Sequence, residues 1–278
     1  MSTYVVGDIH GCYDEWLKLK EQIENYDKQA KFTLIGDIVD RGPKVMEMID
    51  WAIKNVTPSG KYQMVLGNHE DMLIEWAKQY YHVNKTDYTK SQLYKDFEDT
   101  NYDFKQRLID YDVTDDYVLK IIDFFKSLPL YIDLEAETFG KKQYYVICHA
   151  ALPDVCLDKN GKVIKDSIND NVKDYIVWER KYYGNNWEYP TIIVHGHTPT
   201  CLRELIVRKS DPGKIDFRQK DINIDCGMCY GMSMSNLAAI RLEDLREFYV
   251  LDTQETIFTL RSKSQANKNE LIQYIKNK

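Results

Sequence analysis

No apolar run in this chain approaches the ~20 residues needed to cross a bilayer, so no membrane span is expected. Strand-like residues begin at Thr3, so no secretory leader is expected. Positive charge is short: 37 Lys and Arg stand against 44 Asp and Glu, a net −7. That balance excludes a general binder of long nucleic acid or of anionic membrane surfaces. Cysteine is sparse and lacks small-domain spacing, so the six thiols read as reduced rather than as a disulfide framework. Cys226-x-x-Cys229 has no second pair to complete a zinc site. No internal repeat or low-complexity tract interrupts the chain. These absences leave a cytoplasmic globular protein whose 44% hydrophobic residues can fill a real core.

What is present is organised around Gly36-Asp37-Ile38-Val39-Asp40-Arg41-Gly42. An apolar run at 32–35 precedes it, and Val45, Met48, Ile49, Ala52 and Ile53 follow at the spacing of a helix face, with Pro43 expected in the first turn. Open α/β sheets place ligands at the carboxyl ends of their strands. The same construction occurs twice more. Residues 4–6 run into Gly7-Asp8-Ile9-His10-Gly11, and a helix with Tyr13, Trp16, Leu17 and Ile23 towards the core should follow. Residues 62–66 run into Gly67-Asn68-His69-Glu70, ahead of a helix burying Met72, Leu73, Trp76, Ala77 and Tyr80. Three strand–loop–helix units predict a sheet covered by helices.

Residues 81 to about 128 read as a mainly helical insertion, with a face of Val118, Ile121, Ile122, Phe125 and Leu128 between a Thr114 N-cap and Pro129. Strands are expected at 130–134, at 144–148 before His149, and at 191–194 before His195-Gly196-His197-Thr198. The pattern then turns all-β, at 203–208, 221–226, 237–242 and 248–251. A polar linker at 262–269 and a short helix carrying Leu271, Ile272 and Ile275 close the chain, so that residues 1–261 read as one catalytic domain. Five of the six histidines lie in the strand-end loops. With Asp8, Asp37 and Asn68 they offer nitrogen and oxygen ligands and no thiolate, a set suited to Mn²⁺, Fe or Zn²⁺ rather than to Mg²⁺ or Ca²⁺.

At this point the chain resembles the calcineurin-like metallophosphoesterases, and within them the bacterial and phage branch of the phosphoprotein phosphatases. Gly7-Asp8-x-His10-Gly11, Gly36-Asp37-x-Val39-Asp40-Arg41-Gly42, Gly67-Asn68-His69-Glu70, His149-Ala150 and Gly196-His197-Thr198 carry the resemblance, over roughly residues 4–242. It implies an α/β (α+β) fold of four layers, a central β-sandwich flanked by helices. It also implies two divalent metal ions, with Mn²⁺ favoured over Fe or Zn²⁺. Asp8, His10 and Asp37 would hold one ion; Asp37, Asn68, His149 and His197 would hold the other. His69 would be the general acid, oriented by Asp40, while Arg41, Arg180 and Asn68 would bind phosphate. Hydroxide held by the metals would attack phosphorus directly. Two divalent ions against two carboxylates leave a positive surplus suited to that substrate.

Residues 224–231 do not match the Ser-Ala-Pro-Asn-Tyr loop of the eukaryotic enzymes, so toxin sensitivity and regulatory subunits do not transfer. The resemblance places phosphoserine and phosphothreonine in proteins first among substrates, with phosphorylated small molecules also in reach. Dinucleoside tetraphosphates of the Ap4A type are the alternative, since hydrolases of these compounds share nearly the same motifs. A metal-binding but inactive interaction module is the third reading, opposed by the presence of every expected ligand and of the acid.

Overall fold

The protein is described here by a computed structural model covering residues 2–84, 111, 113–180, 188–202, 212–231, 234–250 and 263–278. Two five-stranded sheets face each other. In the first, β1 (Thr3–Val6) pairs in parallel with β2 (Lys31–Leu34), and β2 with β3 (Tyr62–Met64). On its other side β1 pairs antiparallel with β9 (Ala238–Arg241), which carries β10 (Arg246–Tyr249) at the edge. The second sheet runs β4 (Tyr131–Thr138), β5 (Lys141–Cys148), β6 (Ile192–His195), β8 (Asp221–Asn223) and β7 (Asp216–Arg218). Its central three strands are parallel and both edges antiparallel.

Strands β1, β5 and β6 are covered on both faces, and their buried stretches read as near-continuous apolar runs. Successive side chains alternate between two cores. Val5, Ile35, Val65, Tyr145, Ile147, Ile192 and Val194 meet between the sheets. Tyr4, Val6, Phe32 and Leu34 point the other way, into a core roofed by α1 (Tyr13–Tyr26), α2 (Val45–Asn55), α3 (Asn68–Asn84) and α4 (Asp115–Lys126). Val146, Cys148 and Ile193 point outward from the second sheet and are covered by α5 (Asp170–Trp178). The expected four-layer architecture is therefore present. A final helix, α6 (Lys263–Asn277), packs along β7 and sends Leu271 and Ile275 into the intersheet core. No helix among the described residues is long and apolar enough to cross a membrane.

Several details differ from expectation. Trp16, Leu19 and Ile23 form the buried face of α1, and Leu17, about a third of a turn away, stays 37% exposed. Pro43 precedes the first turn of α2, which starts at Val45 after an N-cap at Lys44. Residues 263–269, expected as linker, are helical, because Leu271 and Ile275 anchor the helix from its far end. Neither β7 nor α5 was expected. The three residues of β7 carry two charges, and α5 is only nine residues long, starting from Asn169, whose side chain accepts from Asn171 N and Val172 N at 3.1 and 3.3 Å. In α4 the Thr114 hydroxyl caps Tyr117 N at 3.3 Å as expected. The rest of the expected insertion between 85 and 112, apart from Tyr111, and the strand expected at 203–208 lie outside the described residues.

Candidate metal centre

The carboxyl ends of β1, β2, β3, β5 and β6 open on one rim of the sandwich. From them come Asp8 and His10, Asp37, Asn68 and His69, His149, and His197. The turns are tight. His10, Asp37, Asp40, Arg41 and His197 all take left-handed backbone conformations, with φ between 47° and 67°. Non-glycine residues there store strain, which the packed rim must outweigh. Gly67 and Gly196 admit the close approach: a Cβ at either would come within 2.3 Å of a carboxylate oxygen, of Asp37 and Asp8 respectively.

A backbone carbonyl behind each of three imidazoles fixes its proton. His10 Nδ1 donates to Val39 O at 2.7 Å, His149 Nδ1 to Ile35 O at 2.8 Å, and His197 Nε2 to Trp178 O at 3.1 Å. Each opposite nitrogen keeps a lone pair aimed at the rim. His149 Nε2 faces Asp37 Oδ2 at 3.4 Å, Asn68 Oδ1 at 2.8 Å and His197 Nδ1 at 3.2 Å. His197 Nδ1 faces Asn68 Oδ1 at 2.9 Å, and His10 Nε2 faces Asp37 Oδ2 at 3.5 Å. Acceptors converging on acceptors repel one another unless a cation stands among them. Asp8 Oδ1 is buried without a hydrogen-bond partner, while its Oδ2 accepts from His197 N at 3.2 Å. These donors fit metal ions, and imidazoles oriented by carbonyls are the usual arrangement around them.

Two groups meet a spacing that can hold an ion: Asp37, His149 and His197, and His10, Asp37 and His69, with ligand atoms within 4.8 Å of one another in each. Asp37 belongs to both. The second group includes His69, where the resemblance names Asp8; Asp8 stands on the same rim through its bond to His197 N. His69 Nδ1 donates to Asp40 Oδ2 at 2.6 Å, and its backbone N–H donates to Asp37 Oδ1 at 3.0 Å. Arg41 donates to His10 Nε2 at 2.7 Å and to His69 Nε2 at 3.1 Å, and its guanidinium lies over the Tyr230 ring, 5.5 Å from the centroid. Arg180 approaches from the other side, donating to His197 O and Thr198 Oγ1, each at 3.1 Å.

Electrostatics follow from crowding. Burial, with Asp225 and Asp37 close by, pushes the Asp8 carboxyl up. Burial acts on Asp37 in the same direction, but His149, His69 and His10 around it hold its carboxyl well below the usual range. Burial lowers the His10 imidazole to about 3 and His197 to about 2, which keeps their inward nitrogens free to ligate. For His69 burial lowers the pKa, and Asp37 and Asp40 more than reverse it.

Sequence reasoning passed over Glu70. Fully buried in the first turn of α3, its carboxylate accepts from four backbone N–H groups: Asp37 at 2.7 Å, Ile38 at 2.8 Å, Gly67 at 3.0 Å and Val39 at 3.3 Å. It thereby ties the Asp37 loop to the Asn68 loop. Burial and the charge of Asp37 push its carboxyl up, while the backbone donors, Asp37 N and Ile38 N foremost, favour the ionised form. Its position beside His69 is the signal that could have found it. Asp225 was also unassigned; it is buried behind Gly196 and accepts from Gly227 N at 2.9 Å. His195 is turned away from the ligands and pairs with Asp221 Oδ1 at 2.5 Å, joining β6 to β8. All six cysteines are free, and five are buried.

The asymmetrical bis(5'-nucleosyl)-tetraphosphatase PrpE of Oceanobacillus iheyensis is 26% identical over 253 residues, covering 84% of this chain and 87% of that one. The symmetrical bis(5'-nucleosyl)-tetraphosphatase of Cronobacter sakazakii is 44% identical over 74 residues, 27% of this chain. Matches to symmetrical enzymes of this kind span only 25% and 32% of the relatives' own length in Cronobacter sakazakii and Methylobacillus flagellatus. Among solved structures, a candidate diadenosine tetraphosphatase superposes with a TM-score of 0.54 at 16% identity, over 90% of this chain and 94% of that one. The cold-active protein-tyrosine phosphatase of a Shewanella species does so at 0.50 and 18%, over 90% and 80%. Both share the fold. The family pattern of the calcineurin-like phosphoesterases matches residues 1–226, which contain every candidate ligand together with His69, Arg41 and Arg180, and the chain belongs to that family of metal-dependent hydrolases.

Proposed function

We propose that the protein hydrolyses the phosphoanhydride chain of dinucleoside polyphosphates at a two-metal site, with phosphorylated serine or threonine as the lesser substrate class. The observation that carries the reading is Asp37 shared between two convergent ligand groups, with Arg41 on one side and Arg180 on the other. Substrate class rests on the relatives: the Oceanobacillus iheyensis protein, matched along most of both chains, is named a tetraphosphatase, as are the more identical partial matches. This reverses the order expected from the motifs.

Asp8, His10 and Asp37 would hold one ion, with His69 beside it, and Asp37, Asn68, His149 and His197 would hold the other. When bound, a divalent pair polarises phosphoryl oxygens and makes water a nucleophile at neutral pH. The chain does the rest. Arg41 and Arg180 clamp phosphoryl oxygens with charge-assisted hydrogen bonds. Asp40 fixes the His69 ring through Nδ1, and Nε2, which accepts from Arg41 here, would be freed as Arg41 turns to the phosphate and could then carry a proton to the departing oxygen. Residues 1–261 form the catalytic unit in this reading.

The test is a side-by-side turnover assay on Mn²⁺-loaded protein, with diadenosine tetraphosphate against a serine-phosphorylated peptide. A kcat/KM at least tenfold higher on the nucleotide is expected. The opposite ratio would make this a protein phosphatase.

A further inference from the structure

Helix α5 presents one side to the core and ends at the rim. Ile176 and Val177 are fully buried, while the next residue, Trp178, leaves its large side chain 43% exposed. A solvent-facing indole costs burial that an ordinary surface residue would not forgo, since fully covering a large apolar side chain stabilises by about 1.5–3 kcal/mol. Its position is specific. The Trp178 carbonyl orients His197, and its ring stands edge-on to the His197 imidazole with centroids 6.2 Å apart and planes at 83°. Two residues on, Arg180 donates to the backbone of His197. A phosphate gripped by Arg180 therefore lies one short step from an open aromatic surface.

The other flank is built differently. There Tyr230 also lies beside an arginine, but the Arg41 guanidinium already sits over its ring and the side chain is half-buried. One flank of the rim thus holds an arginine stacked on its aromatic ring, and the other an arginine two residues from an exposed indole. A polyphosphate chain running between the arginines would find a stacking surface at one end only.

We propose that Trp178 is the nucleobase platform: it stacks the base of the nucleotide whose phosphate lies on Arg180, and so selects nucleoside polyphosphates over base-free phosphates. This deepens the nucleotide reading above and rests on it. An aromatic stack on a nucleobase is worth about 1–3 kcal/mol, or roughly 5- to 150-fold in affinity or specificity. Because every base offers a π-face, the platform favours nucleotides broadly without reading base identity.

The experiment compares kcat/KM for diadenosine tetraphosphate and for inorganic tripolyphosphate in the Mn²⁺-loaded wild type, Trp178→Ala and Trp178→Phe. The nucleotide-to-tripolyphosphate ratio should fall at least fivefold in Trp178→Ala and recover most of the way in Trp178→Phe. A ratio unchanged in Trp178→Ala overturns the platform, and so does a fall that Trp178→Phe does not repair. Intrinsic tryptophan fluorescence titrated with adenosine monophosphate and with ribose 5-phosphate reports binding alone. Quenching by the first only, lost in Trp178→Ala, supports the platform even if diadenosine tetraphosphate is not turned over, an outcome that would overturn the proposed activity alone. Equal responses to both ligands refute the platform and leave that activity standing.

Discussion

Glu70→Gln tests whether one buried carboxylate holds the metal centre together. The side chain keeps its volume, but one acceptor oxygen becomes an NH₂ group. Whichever way the amide turns, two backbone donors lose their acceptor: Asp37 N and Gly67 N on the Oε2 side, or Ile38 N and Val39 N on the Oε1 side. An unsatisfied buried donor costs about 1–3 kcal/mol, so two cost about 2–6 kcal/mol, against a total stability of about 5–15 kcal/mol. Unfolding entropy of about 2.1 cal/mol/K per residue gives roughly 0.6 kcal/mol/K for a chain of this length, so Tm of the metal-free protein should fall by about 3–10 °C. The Asp37 loop holds its left-handed turn against those donors, so Mn²⁺ affinity should fall with it. Differential scanning calorimetry of chelator-treated protein and isothermal titration with Mn²⁺ measure the two effects separately. A variant that melts within one degree of wild type and binds Mn²⁺ equally well would refute the view that Glu70 carries the loop.

His69→Asn should keep its metal content by elemental analysis and lose activity unequally. A departing alkoxide needs a proton far more than a departing phosphate, so turnover of phosphopeptide should drop by about 10²–10⁴-fold and that of diadenosine tetraphosphate by less. Equal losses on both substrates would remove His69 from the acid role. Chelation should abolish hydrolysis, and Mn²⁺ should restore it. Activity persisting in the fully stripped protein would argue against the two ligand groups as the reacting centre. Far from the rim, burial raises the Glu24 carboxyl, but hydrogen bonds from Lys20, Lys61 and Tyr62 prevail and bring it from 4.5 to about 2. A depressed carboxylate stabilises fully above its unfolded pKa and loses that contribution as pH falls through the folded one. Glu24→Gln should therefore cost about 1–3 kcal/mol at pH 7, with the difference fading between about pH 4.5 and pH 2 in urea titrations. A pH-independent difference would contradict the linkage.

The sequence by itself determined the strand–loop–helix units and the rim they build. Mostly apolar runs at 4–6, 32–35 and 62–66 are short enough to read as strands, and each delivers its polar residues at the same end. Five histidines in strand-end loops announce a metal site because core histidines do not arrive in that pattern. Tertiary structure decided what spacing cannot carry. The inward nitrogen of each imidazole is set by a distant carbonyl, of Val39, Ile35 or Trp178. Glu70 is functional only because four backbone N–H groups from two loops converge on it. Helix α5 and strand β7 escape periodicity because a strand of three residues with two charges and a helix of only nine residues are too short to show a pattern. Trp178 looks like any other large apolar residue in one dimension. Its exposure beside His197 arises where the end of one helix meets the turn after a strand of the second sheet, a meeting of segments that no local pattern encodes.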